Sequence, residues 1–301
     1  MRWVELLRAV ALPVAGLALI RRVRQRRLER VVAARLGPPG IDGLVAGAGP
    51  IALDAGPRTA LLLHGFGDTP ESLAGLARYL HARGWTVRVP LLPGHGRTVR
   101  AFAASTAAEW DGAAREAYAT LAHSGRPVAL VGQSMGAALA VRVAADHRTV
   151  PAMVLLAPLL SLSPRLERGA RWWRLVSLVR PLVDSAEDRS IHDPTARAAS
   201  RGYGVMPVRL LPQLVALVRA ARADLPHVNT PTRVVQSRED NRVTVAGTEA
   251  ALRLFGSSAL EVVWRSGAGH VVSVDFGHED VWALVAEWIE RQVVAERLHI
   301  A

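Results

Sequence analysis

The chain contains no cysteine, and this absence narrows its chemistry before any motif is considered. A disulfide scaffold, a thiolate metal site and a cysteine nucleophile are all excluded, while the redox compartment stays undecided. No internal repeat occurs at periods of roughly 20–50 residues, so a solenoid or a propeller is not indicated. Half of the 301 residues are hydrophobic. Disorder is therefore excluded for the bulk of the chain, which has the length of one large domain or two modest ones.

Lysine is absent as well, so all 37 basic residues are arginines, and the formal net charge is +11. The charge is unevenly distributed. Residues 1–40 contain nine arginines and two glutamates, which is +7, and the remaining 261 residues carry only +4. The high isoelectric point is therefore mainly a property of the N-terminal segment. The high isoelectric point is therefore weak evidence that the rest of the chain binds nucleic acid, and we predict no nucleic-acid partner.

The N-terminal segment, residues 1–45, lacks a hydrophobic run long enough to span a bilayer comfortably. Its uncharged run, residues 9–20, would extend about 18 Å as a helix, against a hydrocarbon core of about 30 Å. A secretory signal would need a cleavage site of small residues, but the run continues into RRVRQRR. Cleavage is therefore not expected.

Apolar residues in the first turns of this segment have helical spacing and precede the arginine cluster. They are Trp3, Leu6, Leu7, Val10, Val14 and Leu17. This pattern favours a helix on an anionic membrane surface, contacting it through residues 1–35. A helix docked on the chain's own body and an extension from a misassigned start codon are the alternatives. The expected location is cytoplasmic, at the inner face of the membrane if the segment binds lipid.

Strand and helix signals alternate after the GPPG turn at 37–40. Strands are predicted at 59–63, 85–89, 127–131, 152–156, 232–236 and 260–264, and helices at 72–83, 106–123, 137–145, 244–255 and 279–297. Such alternation predicts an α/β fold with a mostly parallel sheet covered by helices on both faces. Residues 159–228 interrupt it, because they contain no convincing strand and are predicted to be mostly helical, near 165–180 and 207–223. We expect them to form a cap over the strand ends, inserted between core segments 46–158 and 229–301.

The string GQSMG at 132–136 matches the pattern G-x-S-x-G. The string alone is weak, but a predicted strand precedes it and a predicted helix follows it, as a nucleophile elbow requires. A sharp turn there would raise the hydroxyl of Ser134 above the sheet edge. The amide of Met135 would then lie at a helix N-terminus, where developing negative charge is stabilised.

A serine nucleophile needs a base, and the base needs an orienting carboxylate. In this topology the acid and then the histidine follow the serine, each on a loop after a strand. Asp240 follows the strand at 232–236, and His270 follows the strand at 260–264 in a glycine-rich loop. Glu239 is adjacent to Asp240, and since only one of the two can point inward, Asp240 is the preferred acid.

His64-Gly65-Phe66-Gly67 follows the first buried strand, and the N–H of Phe66 is our candidate for the second oxyanion donor. A dinucleotide-binding turn is excluded, because Pro70 stands where the third glycine is needed and no acidic residue lies about 20 residues further on. H-E-x-x-H does not occur, and the other histidines lack partners. No metal and no cofactor is predicted.

Five motifs in this order resemble the α/β-hydrolase superfamily, and are most similar to its bacterial carboxylesterase and monoacylglycerol lipase branch. They are HGFGDTPESL, PLLPGHG, GQSMG, PTRVVQSREDNRV and SGAGHVVSVD, and the resemblance covers residues 57–297. It implies nucleophile Ser134, acid Asp240, base His270, oxyanion amides of Phe66 and Met135, and a helical cap after the sixth strand. Two features depart from the pattern. The segment SGAGH is longer than the usual Ser-Gly-His, which is expected to shift His270 slightly, and residues 1–45 are not part of the usual enzyme.

The leading hypothesis is a serine hydrolase that cleaves carboxylic esters with apolar acyl chains through an acyl-enzyme intermediate. Its substrate would be a small-molecule or lipid ester, because the cap is rich in Leu and Val and also contains Trp172, Trp173 and Met206. An acyltransferase or thioesterase with the same triad is the main alternative. A non-catalytic, membrane-bound binding module is a third hypothesis, disfavoured by the intact triad.

Overall fold

The computed structural model describes residues 2–184 and 190–300, without the side chains of residues 2–14, 17 and 295–300. The α-helices of this part of the chain, α1 to α11 in order, are Arg2–Leu36, Ala74–Ala82, Val99–Ala104, Ala107–Ala122, Met135–Asp146, Pro164–Arg171, Trp173–Val179, Pro194–Ala199, Leu211–Asp224, Val245–Leu252 and His278–Ile300. The strands, β1 to β9, are Ile51–Leu53, Arg58–Leu63, Trp85–Val89, Val128–Gln133, Met153–Leu156, Leu182–Asp184, Val205–Pro207, Thr232–Ser237 and Leu260–Arg265.

Seven strands form one sheet in the order β1-β3-β2-β4-β5-β8-β9. Strand β1 pairs antiparallel with β3, and every other neighbouring pair is parallel. Parallel strands need helical crossovers, which cover both faces of the sheet. The predicted α/β fold with a mostly parallel sheet is confirmed.

The central strands are hydrophobic on both sides because helices pack on both sides. In β2, Leu61 and Leu63 belong to one buried cluster with residues of α4, α5 and α9. Ala60 and Leu62, which alternate with them, belong to a second cluster with residues of α2 and α11. This two-sided burial accounts for the short apolar runs of the sequence.

The insertion at 159–228 leaves the sheet after β5 and returns at β8. Strand β5 is the fifth strand of the sheet in chain order, so the prediction of a cap after the sixth strand is corrected. The strands before the insertion are one short antiparallel strand, β1, and the four parallel strands β2 to β5, which makes five. The insertion also contains strands, since β6 and β7 form a separate antiparallel pair. Each has three residues, too few to show a strand period in the sequence.

Helix α1 runs through the arginine cluster without interruption and ends at Leu36. Val32 and Leu36 are buried in the larger core cluster, and the helix contacts α7 and β6 of the cap. The side chain of Arg35 donates a hydrogen bond to the carbonyl of Gly202. Docking on the chain's own body therefore holds for the last turns of α1.

The predicted apolar stripe from Trp3 to Leu17 lies within helix α1, but its side chains are outside the described residues. Within residues 2–184 and 190–300, no helix combines the length and apolar character that a membrane span needs.

Candidate active site

Ser134 occupies the tight turn between β4 and α5 with φ 55° and ψ −113°. A non-glycine residue with positive φ is strained and persists only where surrounding structure enforces it. A side chain at Gly132 would collide with the backbone of Gly136 and Ala137, and one at Gly136 would collide with the carbonyl of Leu63. The glycines thus allow strand, turn and helix to pack closely enough to hold Ser134 in this conformation.

The three residues of the predicted triad lie in one hydrogen-bonded chain. The Nε2 atom of His270 is 2.7 Å from the Oγ of Ser134, and its Nδ1 is 2.7 Å from Oδ2 of Asp240. A carboxylate can only accept, so Nδ1 carries the proton and Nε2 is left to accept the serine hydroxyl. The geometry is therefore that of a nucleophile, a base and an orienting acid.

Asp240 is buried, with its side chain 1% exposed. Burial raises the pKa of its carboxyl, but His270 and the backbone N–H groups of Val243 and Arg242 outweigh this, so its pKa lies below the ordinary value. The side-chain amide of Gln236 also donates to Oδ2 at 2.8 Å. The carboxylate is therefore ionised and fixed in orientation near neutral pH.

Glu239 points elsewhere. Its Oε2 accepts from the hydroxyl of Ser237 at 3.2 Å and from the N–H of Gly267 at 3.3 Å. Gly267 has φ +86° and open space where a side chain would be, so its backbone conformation, and not a close contact, favours glycine at this point of the loop. Glu239 supports the histidine loop without contacting the imidazole.

The two predicted oxyanion donors flank Ser134. Met135 is the first residue of α5, where a backbone N–H has no intrahelical acceptor. In the described part of the chain, the N–H of Phe66 donates no hydrogen bond. The loop carrying Phe66 passes beside the serine, because a side chain at Gly65 would contact the Cβ of Ser134 at 3.4 Å. Both amides are thus available to an oxygen bound at this turn.

Two buried histidines support the loop that carries Phe66. The N–H of Gly67 donates to Nε2 of His95 at 3.1 Å, and the N–H of Leu92 donates to Nε2 of His64 at 3.1 Å. Burial lowers the pKa of His64 to about 4, and it lowers the pKa of His95 well below its ordinary value. Both rings are neutral acceptors at neutral pH and do not serve as bases for Ser134.

Sequence reasoning missed two residues that connect the cap to these loops. The buried carboxylate of Asp275 accepts hydrogen bonds from the N–H groups of His192, Asp193, Gly269 and Phe276, at 2.6–2.8 Å. Burial raises the pKa of this carboxyl, but the four N–H groups lower it further, to below its ordinary value.

Tyr203 of the cap is the second connection. Its N–H donates to the carbonyl of Gly67 at 2.8 Å, and its hydroxyl lies 2.9 Å from the carbonyl of Arg97. Burial raises the pKa of its phenol to about 12. Neither an aspartate in the loop after His270 nor a tyrosine in the cap gives a sequence pattern that predicts such long-range contacts.

A cavity of about 450 Å³ opens above Ser134 and His270. Its apolar wall comes largely from the cap and includes Leu159, Leu166, Val205, Met206, Leu211 and Leu214. Polar groups also line it, among them Glu71, Arg165, Asn241 and Arg242. Burial raises the pKa of Glu71 by more than nearby Arg201 and Arg78 lower it. The site therefore combines an apolar chamber with a few polar groups, as small-molecule pockets do.

The fold and this site define an α/β-hydrolase. The family model described as serine aminopeptidase, S33, matches residues 57–275, and the chain belongs to this family. It is similar to the thermostable monoacylglycerol lipase of Bacillus sp. (strain H-257), with 27% identity over 77% of this chain and 90% of the relative. It is also similar to the carboxylesterase of Bacillus subtilis (strain 168), with 23% identity over 80% of this chain and 96% of the relative.

Among solved structures, one described for LipS and LipT, two metagenome-derived lipolytic enzymes, matches with a TM-score of 0.76 and 27% identity. The match covers 82% of this chain and 99% of that one. The family match, the relatives and this structure support a hydrolase of the esterase and lipase type.

Proposed function

We propose that the protein is a serine carboxylic ester hydrolase that cleaves esters with apolar acyl chains, as a carboxylesterase or monoacylglycerol lipase. The observation that carries the proposal is the chain of two 2.7 Å contacts from Ser134 through His270 to Asp240, at the base of a largely apolar cavity. The names of the curated relatives agree with this class of substrate.

The proposed reaction has two halves. The Oγ of Ser134 attacks the ester carbonyl carbon while Nε2 of His270 takes its proton, and the carbonyl oxygen becomes an oxyanion facing the N–H groups of Phe66 and Met135. The tetrahedral adduct breaks its bond to the alcohol oxygen, which leaves with the proton from His270. Water then loses a proton to His270 and attacks the acyl-enzyme. The acid is released and Ser134 regains its proton.

The cavity wall offers separate contacts for the acyl chain and for the alcohol of the ester. Transfer of an acyl chain from water to the leucine-rich wall of the cap would be favourable, because it buries apolar surface. A polar alcohol such as glycerol would need hydrogen-bond partners, and Glu71, Asn241 and Arg242 line the same cavity. A monoacylglycerol could therefore contact both the apolar wall and the polar groups, whereas a simple alkyl ester would contact only the apolar wall.

A fluorophosphonate probe tests the nucleophile directly, because it forms a covalent bond with an activated serine. The wild-type protein should be labelled, and Ser134→Ala should lose labelling together with a factor of roughly 10³–10⁶ in kcat. Ser124→Ala, on an exposed turn remote from the triad, is the matched control and should keep both. Full turnover by Ser134→Ala would overturn the proposal.

A substrate panel tests the class of reaction. p-Nitrophenyl esters from acetate to palmitate and a monoacylglycerol should be hydrolysed. An acyl thioester, an added alcohol acceptor and an aminoacyl p-nitroanilide represent thioesterase, acyltransferase and aminopeptidase activity. A higher kcat/KM on any of these three than on the best ester would move the function to that class.

A further inference from the structure

Helix α7 of the cap is mostly apolar but exposed to solvent. Its sequence WRLVSLV is mostly apolar, yet it has no buried residue. Leu175 is 58% exposed, and Trp172, just before the helix, is 53% exposed. Val176 and Leu178 are exposed beside them. A contiguous exposed apolar patch of this kind indicates an interaction surface.

Helix α1 extends this patch, because it packs against α7. Its last turns are partly buried through Val32 and Leu36, whereas residues 18–24 are all exposed. Ile20, Val23 and Val31 fall on one stripe of the helix outside the packed side, and all three are exposed. We call the exposed apolar residues of α1 and α7, with the arginines between them, the α1–α7 face.

The net charge of the chain is concentrated in helix α1 and in the segment that contains α6 and α7. Residues 21–35 contain seven arginines and one glutamate, and residues 164–180 contain five arginines and one glutamate, so together they hold +10 of the net +11. Arg171 and Arg174 stack over the rings of Trp172 and Trp173. Tryptophan and arginine on an apolar helix surface are the residues found at membrane–water interfaces.

We propose that the α1–α7 face docks the protein on a lipid bilayer with anionic headgroups. Apolar side chains would enter the headgroup region while the surrounding arginines pair with lipid phosphates. A second copy of the chain fits this face poorly, since two surfaces of the same strong charge repel each other.

Docking would also orient the catalytic cavity. Arg165 and Leu166 of α6 line that cavity, and α6 lies directly before α7 in the chain. The face therefore adjoins a wall of the cavity, which would bring the cavity wall close to membrane-borne substrate. The docking itself requires no assumption about the reaction, so binding and catalysis can be measured separately.

Co-sedimentation with vesicles tests the proposal on the full-length protein. Vesicles of phosphatidylcholine alone and of phosphatidylcholine with phosphatidylglycerol serve as the two lipid surfaces. We expect binding to increase with the anionic fraction and to weaken at high salt. The double variant Arg174→Glu, Leu175→Ser should bind anionic vesicles roughly ten-fold less tightly, as should Arg22→Glu, Val23→Ser.

A matched control makes the same chemical change elsewhere on the surface. Arg253→Glu with Leu254→Ser alters an exposed arginine and an exposed leucine next to α10, and it should bind vesicles like the wild type. All three variants should keep their melting temperature and their turnover of a short soluble ester, which separates docking from the proposed catalysis.

Three results would overturn the proposal. The first is full-length protein that does not sediment with anionic vesicles, and the second is an equal loss of binding in the control variant. The third is sedimentation-velocity evidence of a dimer that the Leu175 variant abolishes while vesicle binding is kept, which would assign the face to a second copy of the chain.

Discussion

Asp275 holds the residue before His270, because its Oδ2 accepts a hydrogen bond from the N–H of Gly269 at 2.6 Å. The same oxygen accepts from the N–H of His192 in the cap at 2.8 Å. One buried carboxylate therefore fixes both the loop of His270 and the neighbouring segment of the cap. The N–H of Val271 adds a third link, to the carbonyl of Ser190 at 3.0 Å.

Asp275→Asn should damage stability and turnover together. An amide NH₂ in place of one carboxylate oxygen would face two N–H donors, which costs on the order of 3 kcal/mol. We expect a lower melting temperature and, at a temperature where the variant is folded, a kcat reduced roughly ten-fold with a small change in KM. Asp280→Asn, at an exposed ion pair with Arg265, is the control. A folded Asp275→Asn variant with wild-type kcat would show that the carboxylate does not position His270.

The two neighbouring acids should differ sharply in their effect on kcat. Asp240→Asn removes the carboxylate that holds the Nδ1 proton of His270, so kcat should fall by a factor of roughly 10⁴. Glu239→Gln keeps an acceptor for the N–H of Gly267 and should lower kcat by less than about ten-fold. Steady-state kinetics on a soluble ester measure both. The reverse order would assign the acid role to Glu239.

The buried histidine His64 should make the protein less stable in mild acid. Its pKa is about 4 in the fold, against 6.5 ordinarily, so between these values the unfolded chain binds a proton that the folded chain does not. Stability therefore rises with pH through this window, and about 3 kcal/mol is lost as pH falls from 6.5 to 4. His95, whose ring contacts that of His64, acts in the same direction.

Urea unfolding at several pH values measures this dependence. His64→Gln should flatten the plot of unfolding free energy against pH, whatever its effect at neutral pH. His123→Gln, an exposed histidine at the end of α4, should leave the slope unchanged. An unaltered slope in His64→Gln would mean that this histidine does not titrate on unfolding.

Truncation of α1 should have two separate effects. Removing residues 2–24 takes away the exposed turns at 18–24 and leaves Val32 and Leu36 in the core, so melting temperature and soluble-ester turnover should stay near wild type. Removing residues 2–36 also removes Val32 and Leu36 from the core, which should cost roughly 2–5 kcal/mol. Thermal unfolding of both proteins checks this. Equal stability of the two would show that the packing of α1 on the cap contributes nothing.

The position of the candidate site was predictable because its signals are local. Ser134 lies between a buried strand and a helix, and Asp240 and His270 follow strands whose apolar runs are visible in the sequence. Strand order in a parallel sheet then brings these strand ends together. The preference for Asp240 over Glu239 agrees with the direction in which each carboxylate points.

The remaining features depend on contacts between distant residues. Strands β6 and β7 have three residues each, which is too few for an apolar alternation to identify them in the sequence. The role of Asp275 depends on His192, 83 residues earlier. The packing of α1 was one of several open alternatives, because a helix with arginines on many sides has no single face that identifies its partner.

The two ends of the insertion lie on strands that are neighbours in the sheet, since β5 pairs with β8 from Met153 and Thr232 onward. A segment anchored in this way can be exchanged for one of different length at small entropic cost, because loop closure depends weakly on length. The residues of the proposed triad and of the proposed oxyanion hole are all encoded outside it. A chimera that carries the cap of a relative should therefore inherit the substrate range of that relative, provided that the grafted cap supplies its own partners for Asp275 and for the Gly67 carbonyl.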